Sequence, residues 1–384
     1  MSLNLIAPEE FAARHDRARS LMRRAGLDGL LLTTPADICY FTGFLTRFWE
    51  SPTRPWFLIV PVQGPTVAVI PQIGAALMRT CAVGQIRTWR APDLEDDGTS
   101  LLQDTLIDSI GAGGRVGVPS GHETHLRMPL HDWSQLRSAP VDFRGDAGVV
   151  RTLRMTKSTA EIELIRATCA VADRAFARVP SIARAGDRLS DVFRRFQMLG
   201  LEEGADWVPY LAGAAGQGGY ADVISPATDE PLMPGDVLML DTGLIRRGYF
   251  CDFDRNYSVG APTSEIAEAH RTLIAATEAG RAICRPGNSA ADIFHAMDKV
   301  LTGGAGGADV GRYGHGLGLQ LTEAPSLMPM DATELTEGMV LTLEPSLVFG
   351  PDRMMVHEEN IVITADGAHY LSSRAGDDLL VLDT

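Results

Sequence analysis

Five side chains in the second half of this 384-residue sequence are of the kinds that hold cations. They are Asp241 and Asp252 in VLMLDTGLIRRGYFCDFDRN, His315 in GRYGHGLGLQLTEAP, Glu344 in MVLTLEPSL and Glu358 in MMVHEENIVIT. VLML and VLTL are apolar runs of the sort that strand pairing buries, so a carboxylate ending or following one carries a desolvation cost that something must offset. Four buried carboxylates and an imidazole need neutralising, and two divalent cations would cancel the four negative charges. Oxygen and imidazole donors together suit Mn, Co, Fe or Zn rather than a thiolate-seeking ion. Asp241 and Asp252 are eleven residues apart around a turn at Arg246-Arg247-Gly248, a spacing that lets two antiparallel strands bring both carboxylates to one point. Asp254, two residues beyond Asp252, falls on the same face by strand alternation, where it could orient a ligand or extend the site; the alternatives are pairing with Arg255 or a solvent face.

The elements that must position these groups lie in two blocks. Up to about residue 150 short strands alternate with helices, an α/β pattern: a helix over 8–25, strands near 28–34, 56–62, 66–71, 85–89 and 115–118, and helices over 73–78 and 100–110. Residues 38–44 lead into an aromatic stretch, and Tyr40, Phe48, Trp49 and Trp56 read most simply as core of this block. From Lys157 the pattern changes to long amphipathic helices. Ser158 with Glu161 forms a capping box for one, and others cover 189–199, 264–283 and 290–301. Strands are expected over 237–241, 249–257, 340–343 and 361–364, with a last one near Tyr370. Helices in runs and strands mostly in other runs imply α+β. The expected organisation is a small α/β domain over 1–150 and an α+β domain over 151–384. The Gly303–Gly307 run lacks the Lys-Ser/Thr of a phosphate cradle and reads as flexible filler.

Composition narrows the function classes. A 45% hydrophobic fraction with no apolar run near the roughly 18 residues of a membrane helix predicts a globular chain with no membrane partner. A formal charge of −15 argues against nucleic acid, because phosphate contacts need clustered Lys and Arg. Five scattered cysteines with no CxxC pair predict reduced thiols, and an amino terminus lacking the apolar core of a secretory signal leads to the expectation of a cytoplasmic protein.

Taken in order, GDVLMLDTG, GYFCDFDRNYSVG, YGHGLGLQ, LEPSL and VHEENIVIT resemble the pita-bread metallohydrolases, which include methionine aminopeptidase, aminopeptidase P, prolidase and the metal-free creatinase. RARSLMRRAGLDGLLLTTPADICYFTGF looks like the creatinase-type amino-terminal domain, and LRMTKSTAEIELIRATCAVADRAF like the start of the catalytic domain. The resemblance implies that Asp241 chelates one metal, that Asp252 and Glu358 bridge two, that His315 is the sole imidazole ligand, and that Glu344 binds the other metal and shuttles a proton to the leaving nitrogen. It also implies a homodimer, in which Arg47, Phe48 or Trp49 can cap a neighbouring subunit's site.

The sequence departs from those peptidases outside the ligands. The stretch ISPATDEPLMPGD puts Ile224 or Ser225 where relatives carry a histidine, Thr322 replaces a second one seven residues after His315, and Val356 stands where an arginine is common, with His357 beside it. Thr322 can donate a hydrogen bond but cannot act as a base near pH 7. Thr322 and His357 are therefore the candidate catalytic assistants beside Glu344, His357 being alternatively an ordinary strand-end histidine. The activity expected is cleavage of an amide bond in a dipeptide or small peptide, including Xaa-Pro. The alternatives are hydrolysis or lysis of a small non-peptide substrate, as in creatinase, ectoine hydrolase or dimethylsulfoniopropionate-cleaving relatives, and a non-catalytic metal-binding module.

Overall fold

Pro8 in the first turn, with Glu9 and Glu10 at the positive end of the helix dipole, starts α1 (Pro8–Ala25). The computed structural model describes residues 6–51, 54–306 and 311–384; the first five residues of the amino terminus and Gly307 of the glycine run lie outside them. The chain divides into two units, Met1–Arg154 and Met155–Thr384.

In the first unit, α1 is followed by β1 (Gly29–Leu32), α2 (Pro35–Thr42), β2 (Phe57–Pro61), β3 (Val67–Pro71), α3 (Ala75–Met78), β4 (Gln85–Trp89), α4 (Thr99–Ile110), β5 (Arg115–Val118), α5 (Leu130–Leu136), β6 (Asp142–Gly145) and α6 (Val149–Met155), which runs up to the start of the second unit. The sheet order is β4-β3-β2-β1-β5-β6, parallel between β3 and β4 and from β1 through β5 to β6, antiparallel around β2. Leu31, Phe57, Ile59, Val69, Leu102 and Val116 form its core. Phe44, Phe48 and Trp49 surround the buried Trp56 at ring separations of 5.2, 6.2 and 5.6 Å, whereas Tyr40 lies under the Arg14 guanidinium.

The second unit begins with α7 (Thr159–Ala177) and α8 (Leu189–Glu202), then β7 (Trp207–Gln217), β8 (Asp236–Arg246), β9 (Tyr249–Phe250) and β10 (Phe253–Val259). The Ser158 hydroxyl accepts from Glu161 N at 3.3 Å while the Glu161 carboxylate accepts from Ser158 N at 3.0 Å, the capping box read from the sequence. Helices α9 (Ser264–Ile283) and α10 (Ala290–Leu301) follow, the first capped by Thr263, the second by a Ser289–Asp292 box. The remaining strands are β11 (His315–Gly316), β12 (Glu323–Ser326), β13 (Val340–Leu343), β14 (Ser346–Gly350), β15 (Arg353–Val356), β16 (Glu359–Thr364), β17 (Gly367–Tyr370) and β18 (Leu380–Leu382). Two larger sheets result, β18-β10-β8-β7 with β9 beside β8, and β12-β11-β13-β16-β17; β14 and β15 form a hairpin. Among the described residues no helix is long and apolar enough to cross a membrane.

Strand β7 departs from the sequence reading, which has no strand there. WVPYLAGAAGQ is poor in β-branched residues, yet it pairs antiparallel with β8 over most of its length. Small residues are needed: a Cβ on Gly213 would stand 2.2 Å from the Met239 carbonyl oxygen. The expected strand over 249–257 is also interrupted. β9 pairs with β8 across a tight turn whose Arg247 and Gly248 both have positive φ, Cys251 and Asp252 leave the ladder, and β10 resumes at Phe253.

Candidate metal centre

Each sheet delivers acids to one place. In β8 all four residues of VLML are buried, and Asp241 stands at the end of that run, opposite Asp254 of β10 in the register. Asp252 precedes β10, and its off-ladder backbone is held by the Asn360 side chain, whose Oδ1 accepts from Asp252 N at 2.9 Å and whose Nδ2 donates to Asp252 O. An amide side chain from β16 thus replaces a ladder partner that Asp252 lacks. In the other sheet the last β13–β16 pair is Leu343 with Glu359, so Glu344 and Glu358 follow immediately beyond it. His315 opens β11, next to β13.

One ligand atom from each of Asp252, His315 and Glu358 lies within 4.8 Å of the other two, and all three residues are buried. His315 Nε2 is 3.4 Å from Asp252 Oδ2 and 3.9 Å from Glu344 Oε1. Its Nδ1 is 2.8 Å from the Gly316 carbonyl, which fixes the proton on Nδ1 and turns the Nε2 lone pair towards the acids. Asp241 is tied in by charge. Burial first, and then Asp241 and Glu344, push Asp252 well above the usual carboxylate range; burial, Asp252 and Asp241 do the same to Glu358. Burial followed by Asp254 pushes Asp241 up to about 8, against the opposing hydrogen bond from Tyr210, and burial pushes Glu344 up to about 7 although Arg312 counteracts it. Burial and then Arg312 lower His315 to about 3, so the ring is neutral and able to ligate.

Hydrogen bonds leave chosen oxygens bare. The Tyr210 hydroxyl donates to Asp241 Oδ2 at 2.9 Å, while Asp241 Oδ1 is buried without a hydrogen-bond partner. The Thr342 hydroxyl donates to Glu358 Oε1. Four acids driven towards protonation, an orphaned carboxylate oxygen and a neutral imidazole are what a cation site looks like to its own side chains. The residues present fit divalent metal.

The outlying positions separate. Ile224 is 80% exposed, and Val356 is half-buried at the end of β15. Thr322 is half-buried, and its Oγ1 accepts from Arg312 at 3.4 Å. His357 is buried with Nδ1 3.4 Å from Asp254 and Nε2 3.4 Å from Glu359, so both ring nitrogens face carboxylates that are not among the five candidate ligands. Burial alone would lower its pKa, but Asp254 and Glu359 raise it. Asp254 does not reach solvent: it is fully buried and accepts from Glu358 N at 2.7 Å and from Asn256. Sequence reasoning missed Tyr210, Arg312, Thr342 and Asn360. Arg312, three residues before His315, and Thr342 and Asn360, each two residues from a glutamate, carried a positional signal; Tyr210, in a strand the sequence hid, carried none.

Comparison with known proteins bears on the family and the fold. Residues 163–365 match the family described as Metallopeptidase family M24, and residues 14–156 match the Creatinase/Prolidase N-terminal domain. The chain is 31% identical over 364 residues to the probable dipeptidase PepE of Mycobacterium tuberculosis, covering 94% of each. It is 27% identical over 360 residues to the Xaa-Pro dipeptidase of Pyrococcus furiosus, covering 94% of this chain and 97% of that one. Among solved structures, dipeptidase PepE from Mycobacterium ulcerans superposes with a TM-score of 0.83 at 28% identity, covering 99% of this chain and 100% of the other.

Proposed function

This chain belongs to metallopeptidase family M24, and from that premise we propose that it hydrolyses dipeptides at a centre of two divalent cations held by Asp241, Asp252, His315, Glu344 and Glu358. It is a hydrolase with a creatinase-type α/β amino-terminal domain and an α+β pita-bread catalytic domain. The observation that carries the site is the convergence of Asp252, His315 and Glu358 from three separate strand ends, with Glu344 beside them. Mn, Co, Fe and Zn all suit the donor set. When bound, the cations would supply Lewis-acid polarisation of the scissile carbonyl and acidification of water.

The chain's own groups do the rest. Tyr210, whose phenol burial and Asp241 keep protonated, fixes the Asp241 carboxylate by its hydrogen bond, and Thr342 does the same for Glu358. Glu344 is our choice for proton carrier. Its side chain keeps 25% of its surface whereas those of Asp252 and His315 keep 5% and 3%, so of these three it is the most open to take a proton and return it to the leaving nitrogen. Thr322 can offer a hydrogen bond to substrate, while His357 acts as a positioning residue through Asp254, which fixes the backbone of Glu358. Tyr210, Phe250 and Leu321 pack around Gly243, on the same face of β8 as Asp241, and are all half-buried. That apolar wall suits an uncharged substrate side chain, a prolyl ring included.

Metal-stripped protein that regains cleavage of a dipeptide panel with Mn, Co, Fe or Zn, and loses it in Asp252→Asn, is the expected result. Absence of turnover with every metal on that panel sinks the reading. A second reading, hydrolysis of a small non-peptide amide, is favoured by Thr322 and the exposed Ile224 standing where the peptidases place histidines. Turnover of such amides in preference to every dipeptide selects it.

A further inference from the structure

The first unit has a cavity of its own, and no residue of the candidate metal centre lines it. It measures about 400 Å³, within the range of small-molecule pockets. It opens beyond the carboxyl ends of the parallel strands β5 and β6, whose last residues, Val118 and Gly145, pair in the register and both line it. Open α/β sheets commonly take ligands at that end of their strands. One wall is the connection from β5 to α5, which is tied down twice: the Thr124 hydroxyl donates to the Gly121 carbonyl at 2.6 Å, and Arg127 N donates to Thr33 Oγ1 at 2.9 Å. Another part of the lining is aromatic. Trp133 of α5 and Phe143 of β6 meet edge to face with ring centroids 5.2 Å apart, and both are half-buried.

The polar groups around this cavity share one character. The chain has 49 Asp and Glu residues, yet none lines the cavity, whereas His125, Arg137 and Arg144 do. Among the described residues the Arg137 guanidinium, the His125 ring, the Ser120 hydroxyl and the Trp133 indole N–H have no hydrogen-bond partner. Arg144 directs Nε and one terminal nitrogen to Asp142 Oδ2 at 2.8 and 2.5 Å, and its other terminal nitrogen is unpartnered. Gly145 is what leaves Ser120 its place: a Cβ there would stand 2.7 Å from the Ser120 hydroxyl oxygen. Unused donors and positive charge therefore gather beside two rings. Planar guanidinium groups match carboxylate and phosphate oxygens, and half-buried aromatic rings favour another flat ring. We propose that this cavity binds a small aromatic anion, a flat ring bearing a carboxylate or a phosphate. Arg137 and Arg144 take the anionic group, and Trp133 and Phe143 lie against the ring. The site is independent of the chemistry assigned to the metal centre.

Calorimetric titration of the full chain with phenyl phosphate, benzoate, inorganic phosphate, benzyl alcohol and benzamide tests the site. Saturable binding of phenyl phosphate or benzoate is expected, at least about tenfold tighter than that of the two uncharged rings, as for hydrogen bonds to a charged group. Tighter binding of phenyl phosphate assigns a phosphate and tighter binding of benzoate a carboxylate; either supports the proposal. Arg137 is exposed, so Arg137→Gln disturbs no packing; it should weaken both anions about tenfold, with Arg137→Lys recovering part of the loss. Trp133→Leu should weaken the ring-bearing anions and leave inorganic phosphate unchanged. Should that variant fail to fold by circular dichroism, phenyl phosphate against inorganic phosphate in the wild type tests the ring contact alone. No saturable binding at millimolar concentration, equal affinity for charged and uncharged rings, inorganic phosphate binding as tightly as phenyl phosphate, or an Arg137→Gln variant that binds like the wild type would each overturn the proposal.

Discussion

At the scale of single residues, hydroxyls aim two of the four candidate carboxylates. Thr342 and Tyr210 each hold one oxygen of a candidate ligand, Glu358 and Asp241. Removing such a partner from a ligand commonly weakens metal binding by roughly 10- to 100-fold. Thr342→Val and Tyr210→Phe are expected to fall in that range when metal is titrated against a chelating indicator, with the fold retained by circular dichroism. Unchanged affinity in both variants would show that these hydroxyls merely fill space. His357 behaves differently, because it lies between Asp254 and Glu359 rather than facing the five ligands. Burial would raise the Glu359 carboxyl, yet Arg255 and then His357 hold it down to about 2. His357→Leu leaves two buried carboxylates short of a cation, and loss of one partner of a buried ionic group costs about 3–5 kcal/mol. Chemical denaturation should register a loss of that order; a loss below 1 kcal/mol would mean that Arg255 alone suffices.

At the scale of elements, the second unit uses one plan twice: a pair of helices, then an antiparallel strand pair that presents two acids, β8 and β10 with Asp241 and Asp252, β13 and β16 with Glu344 and Glu358. Much of this was legible, because VLML and VLTL are dense in strand-forming residues and α7, α9 and α10 announce their starts with Ser or Thr caps. Among the five candidate ligands, Asp241 and Glu344 stand directly after those two runs, whereas His315, in a glycine-rich stretch, was singled out by the resemblance of its surroundings. What stayed hidden was hidden physically. The second half of β7 is Ala and Gly, and at Gly213 the neighbouring strand leaves no room for a Cβ, so propensity speaks against it. The pairing of Asp241 with Asp254 instead of Asp252 depends on the ladder breaking at Cys251, and that break is stabilised by Asn360 from over a hundred residues away. Gly213→Ala tests the first point. Its methyl would meet the Met239 carbonyl at 2.2 Å, which backbone movement alone can relieve, so an overpacking cost of about 1–3 kcal/mol is expected in thermal or chemical unfolding. An unperturbed melting curve would show that β7 is free to shift.

At the scale of the whole molecule, the acids that give the chain part of its formal charge of −15 make metal-free stability depend on pH in an unusual direction. Most carboxylates in folded proteins have lowered pKa values and stabilise as pH rises, but Asp241 is raised from 3.8 to about 8 and Glu344 from 4.5 to about 7. Between about pH 4 and pH 8 the unfolded chain has released these protons while the folded chain retains them. The unfolded state then binds fewer protons, and the stability contributed by these groups falls as pH rises through that window. Divalent cations reverse the sign, since they displace those protons and bind the folded state more tightly as pH rises. The melting temperature of metal-stripped protein should therefore decline from pH 5 to pH 8, and the gain on adding Mn or Zn should widen over the same interval. In Asp241→Asn, which keeps the shape and removes one of the charges, the metal-free decline should shrink and the gain from metal should fall at every pH. A gain that stays constant with pH in the wild-type protein would mean that the four acids are not neutralised by the ions, and the centre proposed here would have to be abandoned.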